Sequence, residues 1–142
     1  MSAKENKAIV RRWNEVVNTG NVKVLDELAG ANYVLHSSGG TRSLEDLKKG
    51  LHTAGRAAFP DTRITIEDEV AEGDKVVIRW TIRGTHKGEY MGIAPTGKQV
   101  TMTGISVYRI EKGKIVEDWS NSDMLGMMQQ LGAVPPMGQG GS

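Results

Sequence analysis

Along residues 4–18, Ile9, Val10, Trp13, Val16 and Val17 share one face, with Lys, Arg, Asn and Glu between them. That is the 3.6-residue period of an amphipathic helix. Thr19-Gly20-Asn21 ends it, with Gly20 suited to a left-handed cap and Asn21 suited to cap a short second helix through Leu28. Residues 31–37 read as a brief strand carrying Tyr33 and His36, and Ser38-Gly39-Gly40-Thr41 as a turn. Ser43 with Asp46 three residues on has the spacing of a capping box. The helix it opens has apolar steps at Leu44, Leu47, Leu51, Ala54 and Ala58. Phe59-Pro60-Asp61 stops it, because proline disfavours helical geometry in the residue before it.

From residue 62 the period changes to two. Ile64 and Ile66 alternate with polar neighbours, Glu72-Gly73-Asp74 turns the chain, and Val76, Ile78, Trp80 and Ile82 continue the alternation. A glycine-rich loop over residues 84–98 leads to a further strand over 99–111. Lys112-Gly113-Lys114 turns that strand into a last one, from Ile115 to about Asn121. Met124, Leu125, Met128 and Leu131 predict a terminal helix, and residues 133–142 read as a flexible tail after a single domain spanning 1–132. Helices gathered before a strand-rich half predict an α+β domain, with the helices on one face of a curved, antiparallel-rich sheet. A sheet curled in that way encloses a pocket, the usual place for a small-molecule site.

Composition narrows the function classes. A chain of 142 residues suits one domain. The 18 Lys and Arg against 17 Asp and Glu leave a net charge of +1, with no basic excess to drive nucleic-acid binding. No apolar stretch approaches the length of about 18 residues needed to cross a membrane, and residues 1–7 lack the apolar core of a secretion signal. The expected location is the cytoplasm. The absence of cysteine removes disulfides, thiolate nucleophiles and Cys-type zinc sites together.

Several residue groups carry candidate chemistry. Gly92 to Lys98 matches the start of a phosphate-binding P-loop. Gln99 stands where a Ser or Thr should follow, and the segment leads into a strand rather than a helix, so the nucleotide reading fails. His36, His52 and His86 have no metal-ligand spacing, and no metal is expected. His52 reads as a packing residue, whereas His36 and His86 read as pocket candidates. No Gly-x-Ser-x-Gly elbow supports a serine nucleophile. Asp118 and Asp123 flank Trp119; a carboxylate held in a pocket beside an indole would have a raised pKa and could act as acid or base. Asp123 also stands where the terminal helix wants an N-cap. The methionines (Met91, Met102, Met124, Met127, Met128) and tryptophans (Trp13, Trp80, Trp119) suit either core packing or an adaptable apolar cavity.

The segment from Gly84 to Lys98 resembles the GTHxGxxxGxxPTGK loop of SnoaL-like polyketide cyclases. Gly113-Lys-Ile-Val-Glu-Asp-Trp119, followed by Asp123 and Gln130-Leu-Gly132, is similar to the C-terminal signature of that family. Trp13-Asn14 and Asn18-Thr-Gly20 fit its opening helix. The resemblance implies an NTF2-like cone, with a strongly curved sheet wrapped on about three helices around an apolar pocket. It also implies a homodimer formed through the outer surface of the sheet. Cyclases of this family close a ring by an intramolecular aldol reaction without cofactor or metal, using an aspartate on the last strand and a histidine on the strand before.

Counting back from Gln-Leu-Gly, those two positions are Ser120 and Ser106 here, and a serine hydroxyl is no base near neutral pH unless another base activates it. Asp118, two residues before Ser120, shares its face on a regular strand and is the first replacement base, with His36, His86 or Tyr33 as partners and Asp123 as second choice. The expected pocket is lined by Trp13, Tyr33, Phe59, Trp80, Tyr90, Met102, Ser106, Tyr108, Trp119 and Ser120. The expected activity is cofactor-free acid/base chemistry, such as aldol cyclisation or isomerisation, on a small apolar carbonyl compound. The alternatives are a non-catalytic binder of a small apolar ligand and an interaction protein with a vestigial pocket.

Overall fold

Two capping boxes set the starts of the main helices in the structure, a computed structural model that describes residues 2–135. Helix α1 (Ala3–Thr19) begins where Ser2 and Glu5 exchange side-chain and backbone hydrogen bonds. It ends at Gly20, whose φ of +76° lets its N–H reach the Val16 carbonyl. Val10, Trp13 and Val16 form its buried face. Helix α2 (Lys23–Leu28) follows, but its cap is Val22 and not Asn21. The Asn21 N–H is drawn back to Thr19 Oγ1 at 3.2 Å, and a turn from Gly20 to Val22 starts the helix without a side-chain cap.

Strand β1 (Ala29–Ser37) is longer than the sequence predicts, and the expected turn after it also forms a short strand, β2 (Gly40–Arg42). Ser43 and Asp46 form the predicted capping box of α3 (Leu44–Gly50). The predicted helix does not run on as a regular α-helix. Leu51–Ala57 is a π-helix, a form common at functional sites and one that shifts the side-chain stripe relative to a 3.6-residue period.

Four long strands complete the domain, β3 (Arg63–Glu72), β4 (Lys75–Thr85), β5 (Gln99–Glu111) and β6 (Lys114–Ser122), with α4 (Met124–Gln130) after them. The sheet order is β2-β1-β6-β5-β4-β3. β1 and β6 run parallel and the other neighbours antiparallel. Register shifts between Ile66 and Asp68 and between Arg109 and Ile110 add the bulges that let a sheet coil.

The register arranges the concave face in rows. Val76, Tyr108 and Asp118 form one row, and Ile78, Ser106 and Ser120 the next. Trp80 stands beside Gly104, then Ile82 beside Met102, and last Gly84 beside Val100. Helix α1 covers this face, with Trp13 packed on Tyr33 of β1 at 5.1 Å between ring centres. Among the described residues no helix is long and apolar enough to cross a membrane. Of the segment expected to be a flexible tail, residues 136–142 lie outside the described residues.

Candidate functional site

Two features occupy the concave face. The first is a chain of hydrogen bonds ending at Asp118, which is 3% exposed. Trp80 Nε1 donates to Ser106 Oγ at 2.9 Å, Ser106 and Ser120 hydroxyls meet at 2.7 Å, and Ser120 Oγ donates to Asp118 Oδ1 at 3.0 Å. A hydroxyl has one proton to give. Since that of Ser120 goes to Asp118, Ser106 must donate to Ser120, and the chain runs one way from the indole to the carboxylate. On the other side, the Tyr33 hydroxyl donates to Asp118 Oδ2 at 3.0 Å. Burial raises the Asp118 pKa from 3.8 to about 6, against the opposing pull of the bonds from Ser120 and Tyr33 and the charge of His36. Burial, and then the nearby Asp118 charge, raise the Tyr33 pKa far above the ordinary phenol value, so Tyr33 stays a donor.

The second feature is an apolar cavity of about 390 Å3 at the other end of the same face. The ends of α1 and the π-helix form one wall, with Val16, Leu51 and Phe59. Ile82, Val100 and Met102 of the sheet form another, and Tyr90 and Met127 close it. Its volume is in the usual range for small-molecule sites. Lys48, His52 and Arg56 give it polar groups. The row of Trp80 and Gly104 stands between the cavity and the serines and carboxylate of the chain. A Cβ on Gly104 would lie 2.1 Å from the Trp80 indole, so the absent side chain is what lets the indole lie flat there.

The predicted residues divide among these features. Phe59, Tyr90 and Met102 line the cavity. Tyr33, Trp80, Ser106 and Ser120 belong to the Asp118 chain. Trp13 and Tyr108 are core residues, and the Tyr108 hydroxyl exchanges hydrogen bonds with Asn14. His36 and Trp119 pair in register on the opposite face of the sheet, their rings stacked at 5.5 Å, with His36 Nε2 2.7 Å from Glu117 Oε2. Asp123 accepts the Gly126 N–H at 2.9 Å as the N-cap of α4.

His86 is fully buried behind the cavity wall, 5.5 Å from the Phe59 ring centre. Its Nδ1 accepts the Thr96 N–H at 3.2 Å, which places the ring proton on Nε2, and that atom has no hydrogen-bond partner. None of Asp118, Asp123, His36 and His86 lines the cavity.

Sequence reasoning missed Arg56, and it placed His52 in the packing, although His52 is exposed and lines the cavity. Both lie in the π-helix, whose wider turn brings them to the cavity beside Leu51 and Ala54 of the predicted stripe, and nothing in the local sequence announces that turn. Among the described residues no three His, Asp or Glu side chains gather where they could hold a metal ion.

Comparison with known proteins adds the family context. The family model of SnoaL-like polyketide cyclases matches residues 7–131. Aklanonic acid methyl ester cyclase AcmA of Streptomyces galilaeus is 29% identical over 134 residues, 90% of this chain and 91% of its own. Among solved structures, AclR of Streptomyces galilaeus, described as a candidate hydroxylase, superposes with a TM-score of 0.88 at 30% identity, over 96% of this chain and 86% of its own. IdmH of Streptomyces antibioticus, described as a candidate polyketide cyclase, gives 0.79 at 34% identity, over 89% of this chain and 98% of its own.

Proposed function

We propose, from the premise that this chain belongs to the SnoaL-like polyketide cyclase family, that it catalyses acid/base chemistry on a small apolar carbonyl compound, with Asp118 as the base acting through Ser120. The observation that carries the reading is the Ser120 hydroxyl donating to the buried Asp118 carboxylate. A serine alone is a poor base, but a serine whose proton already points at a carboxylate can pass one on. Ser120 is half-buried while Asp118 is enclosed, so the hydroxyl is the member of the pair that a substrate meets.

In this mechanism Ser120 Oγ takes a proton from the carbon beside a carbonyl as its own proton moves to Asp118 Oδ1. The freed electron pair flows onto the carbonyl oxygen, giving an enolate. The enolate carbon attacks a second carbonyl of the same molecule, closing the ring. The resulting alkoxide recovers the proton from Asp118 along the same path. Tyr33 holds the carboxylate in place from the other side. The cavity takes the apolar body of the substrate, and the Trp80 indole must turn from its place over Gly104 for that body to reach Ser120.

The test begins with aklanonic acid methyl ester, the compound named for AcmA, followed by simpler diketo esters. Wild-type protein should form the cyclised product, and Asp118→Asn should lose roughly 10²–10⁴-fold in turnover, the usual contribution of a positioned base. Undiminished turnover in Asp118→Asn removes that residue from the mechanism. A second reading, a non-catalytic binder, is favoured by one observation: the cavity is lined by none of the candidate acids and bases Asp118, Asp123, His36 and His86. Tight binding with no product from any diketo ester would select it. The dimer implied by the resemblance would use the outer sheet face, where Ile105 is 51% exposed.

A further inference from the structure

We propose that Arg56 reads an acidic oxygen pair on the ligand, so that the compound held in the cavity has an apolar body and a carboxylate or ionised enol at its rim. This rests on the reading above only in taking the cavity as the place where the ligand body sits.

Three basic side chains reach the cavity, and their charges are not equally available. The Lys48 ammonium is paired with Asp26 and Glu45. His52 is exposed to water. The half-buried Arg56 guanidinium carries a permanent charge and, among the described residues, has no carboxylate within ion-pair distance. Its hydrogen bonds are to neutral groups: Nη1 donates to the Val17 carbonyl at 3.0 Å and to the Asn18 carbonyl at 3.3 Å, at the end of α1.

Those bonds fix the group and leave its chemistry free. The stem and guanidinium lie across Gly20, where a Cβ would come within 3.0 Å of Cδ and Nε. With Nη1 committed to α1, the Nε–H and the adjacent Nη2–H form the remaining edge of a rigid planar fork. That edge matches the two oxygens of a carboxylate, and the resulting paired bonds are among the strong ones available to a protein. A fixed, half-buried cation in the lining of a largely apolar cavity is also partly stripped of water, which raises its demand for an anion. Sequence spacing alone could not show this arrangement, because Arg56 and Gly20 meet through the π-helix.

The test compares 2-naphthoate with methyl 2-naphthoate, two probes of the same apolar shape that differ in charge. Binding to the full-length protein is followed by calorimetry and by probe fluorescence. Wild-type protein should bind the carboxylate at least tenfold more tightly than the ester, with the margin shrinking as salt is raised. Arg56→Met should abolish the preference, the carboxylate then binding no more tightly than the ester. Arg56→Lys, which keeps a charge and a donor for the α1 carbonyls but lacks the paired edge, should keep only part of it.

Equal affinity of wild-type protein for both probes overturns the assignment, as does a preference that survives in Arg56→Met. Binding of neither probe overturns the assignment together with the cavity reading beneath it. Loss of the Asp118 mechanism alone leaves the preference intact, so the two failures are told apart. Should Arg56→Met not fold, shown by circular dichroism, the wild-type comparison and Arg56→Lys still decide.

Discussion

At the residue scale, burial of Asp118 ties the stability of the fold to one proton. Its folded pKa is raised from 3.8 to about 6, so the folded protein holds this proton more tightly than the unfolded chain does. The sign follows: as pH rises through that window the folded state loses stability, and above about pH 6 the cost is complete, on the order of 3 kcal/mol. Asp118→Asn carries no such cost. The stability of the variant relative to wild type, from urea midpoints, should therefore grow from pH 4 to pH 6 and then level off. A difference that stays flat across that range would mean that Asp118 is ionised as easily as a surface carboxylate.

If Asp118 is the base proposed above, kcat/KM should rise as pH passes through about 6, because a base must be ionised to accept a proton. Asp118 could be singled out from sequence because a period of two puts it on the face of Ser120. Tyr33 stood among the expected partners and does donate to Asp118, across 85 positions of chain, but the sequence could not choose it over His36 and His86, nor show the Ser106–Ser120–Asp118 relay that strand register assembles.

At the scale of elements, what could be read in advance was whatever has a local cause. The capping box at Ser43 and Asp46 and the amphipathic stripe of α1 are set by residues three or four apart, and both formed as read. Ser43→Ala should cost about 1 kcal/mol in a denaturation experiment, the usual value of a lost cap. The π-helix at Leu51–Ala57 and the short strand β2 escaped notice because the first has no period of its own in the sequence and the second exists only by pairing with β1. Gly104 is another case of long-range cause, since an alternating strand gives no reason for a glycine there until the Trp80 indole is seen lying over it. Gly104→Ala should destabilise by roughly 1–3 kcal/mol through overpacking. It should also shift tryptophan emission, because the indole would leave the Ser106 hydroxyl. Unchanged emission would show that the indole is not held there.

For the whole molecule, the α+β class followed from helices preceding a run of alternating strands, and the sheet bears it out. The parallel join of β1 to β6 has no sequence signature, because it unites strands from the two ends of the domain. On the convex face Ile105 stands between Arg79 and Asn121 in register. If this face joins two copies, Ile105→Glu should lower the sedimentation coefficient from that of a dimer to that of a monomer. A wild-type protein that sediments as a monomer would end that expectation.

The join of β1 to β6 also governs what a chain can do while it is being made. Synthesis proceeds from the N-terminus, so β1 is finished long before its long neighbour exists, and until then it has only the three residues of β2 to pair with. Asp118 arrives on the very strand that closes the sheet. A ribosome-bound fragment that stops short of β6 therefore has neither a finished sheet nor the Asp118 carboxylate, and the same few residues supply both. Until β6 is made, no partial chain has the row in which Ser106, Ser120 and Asp118 meet.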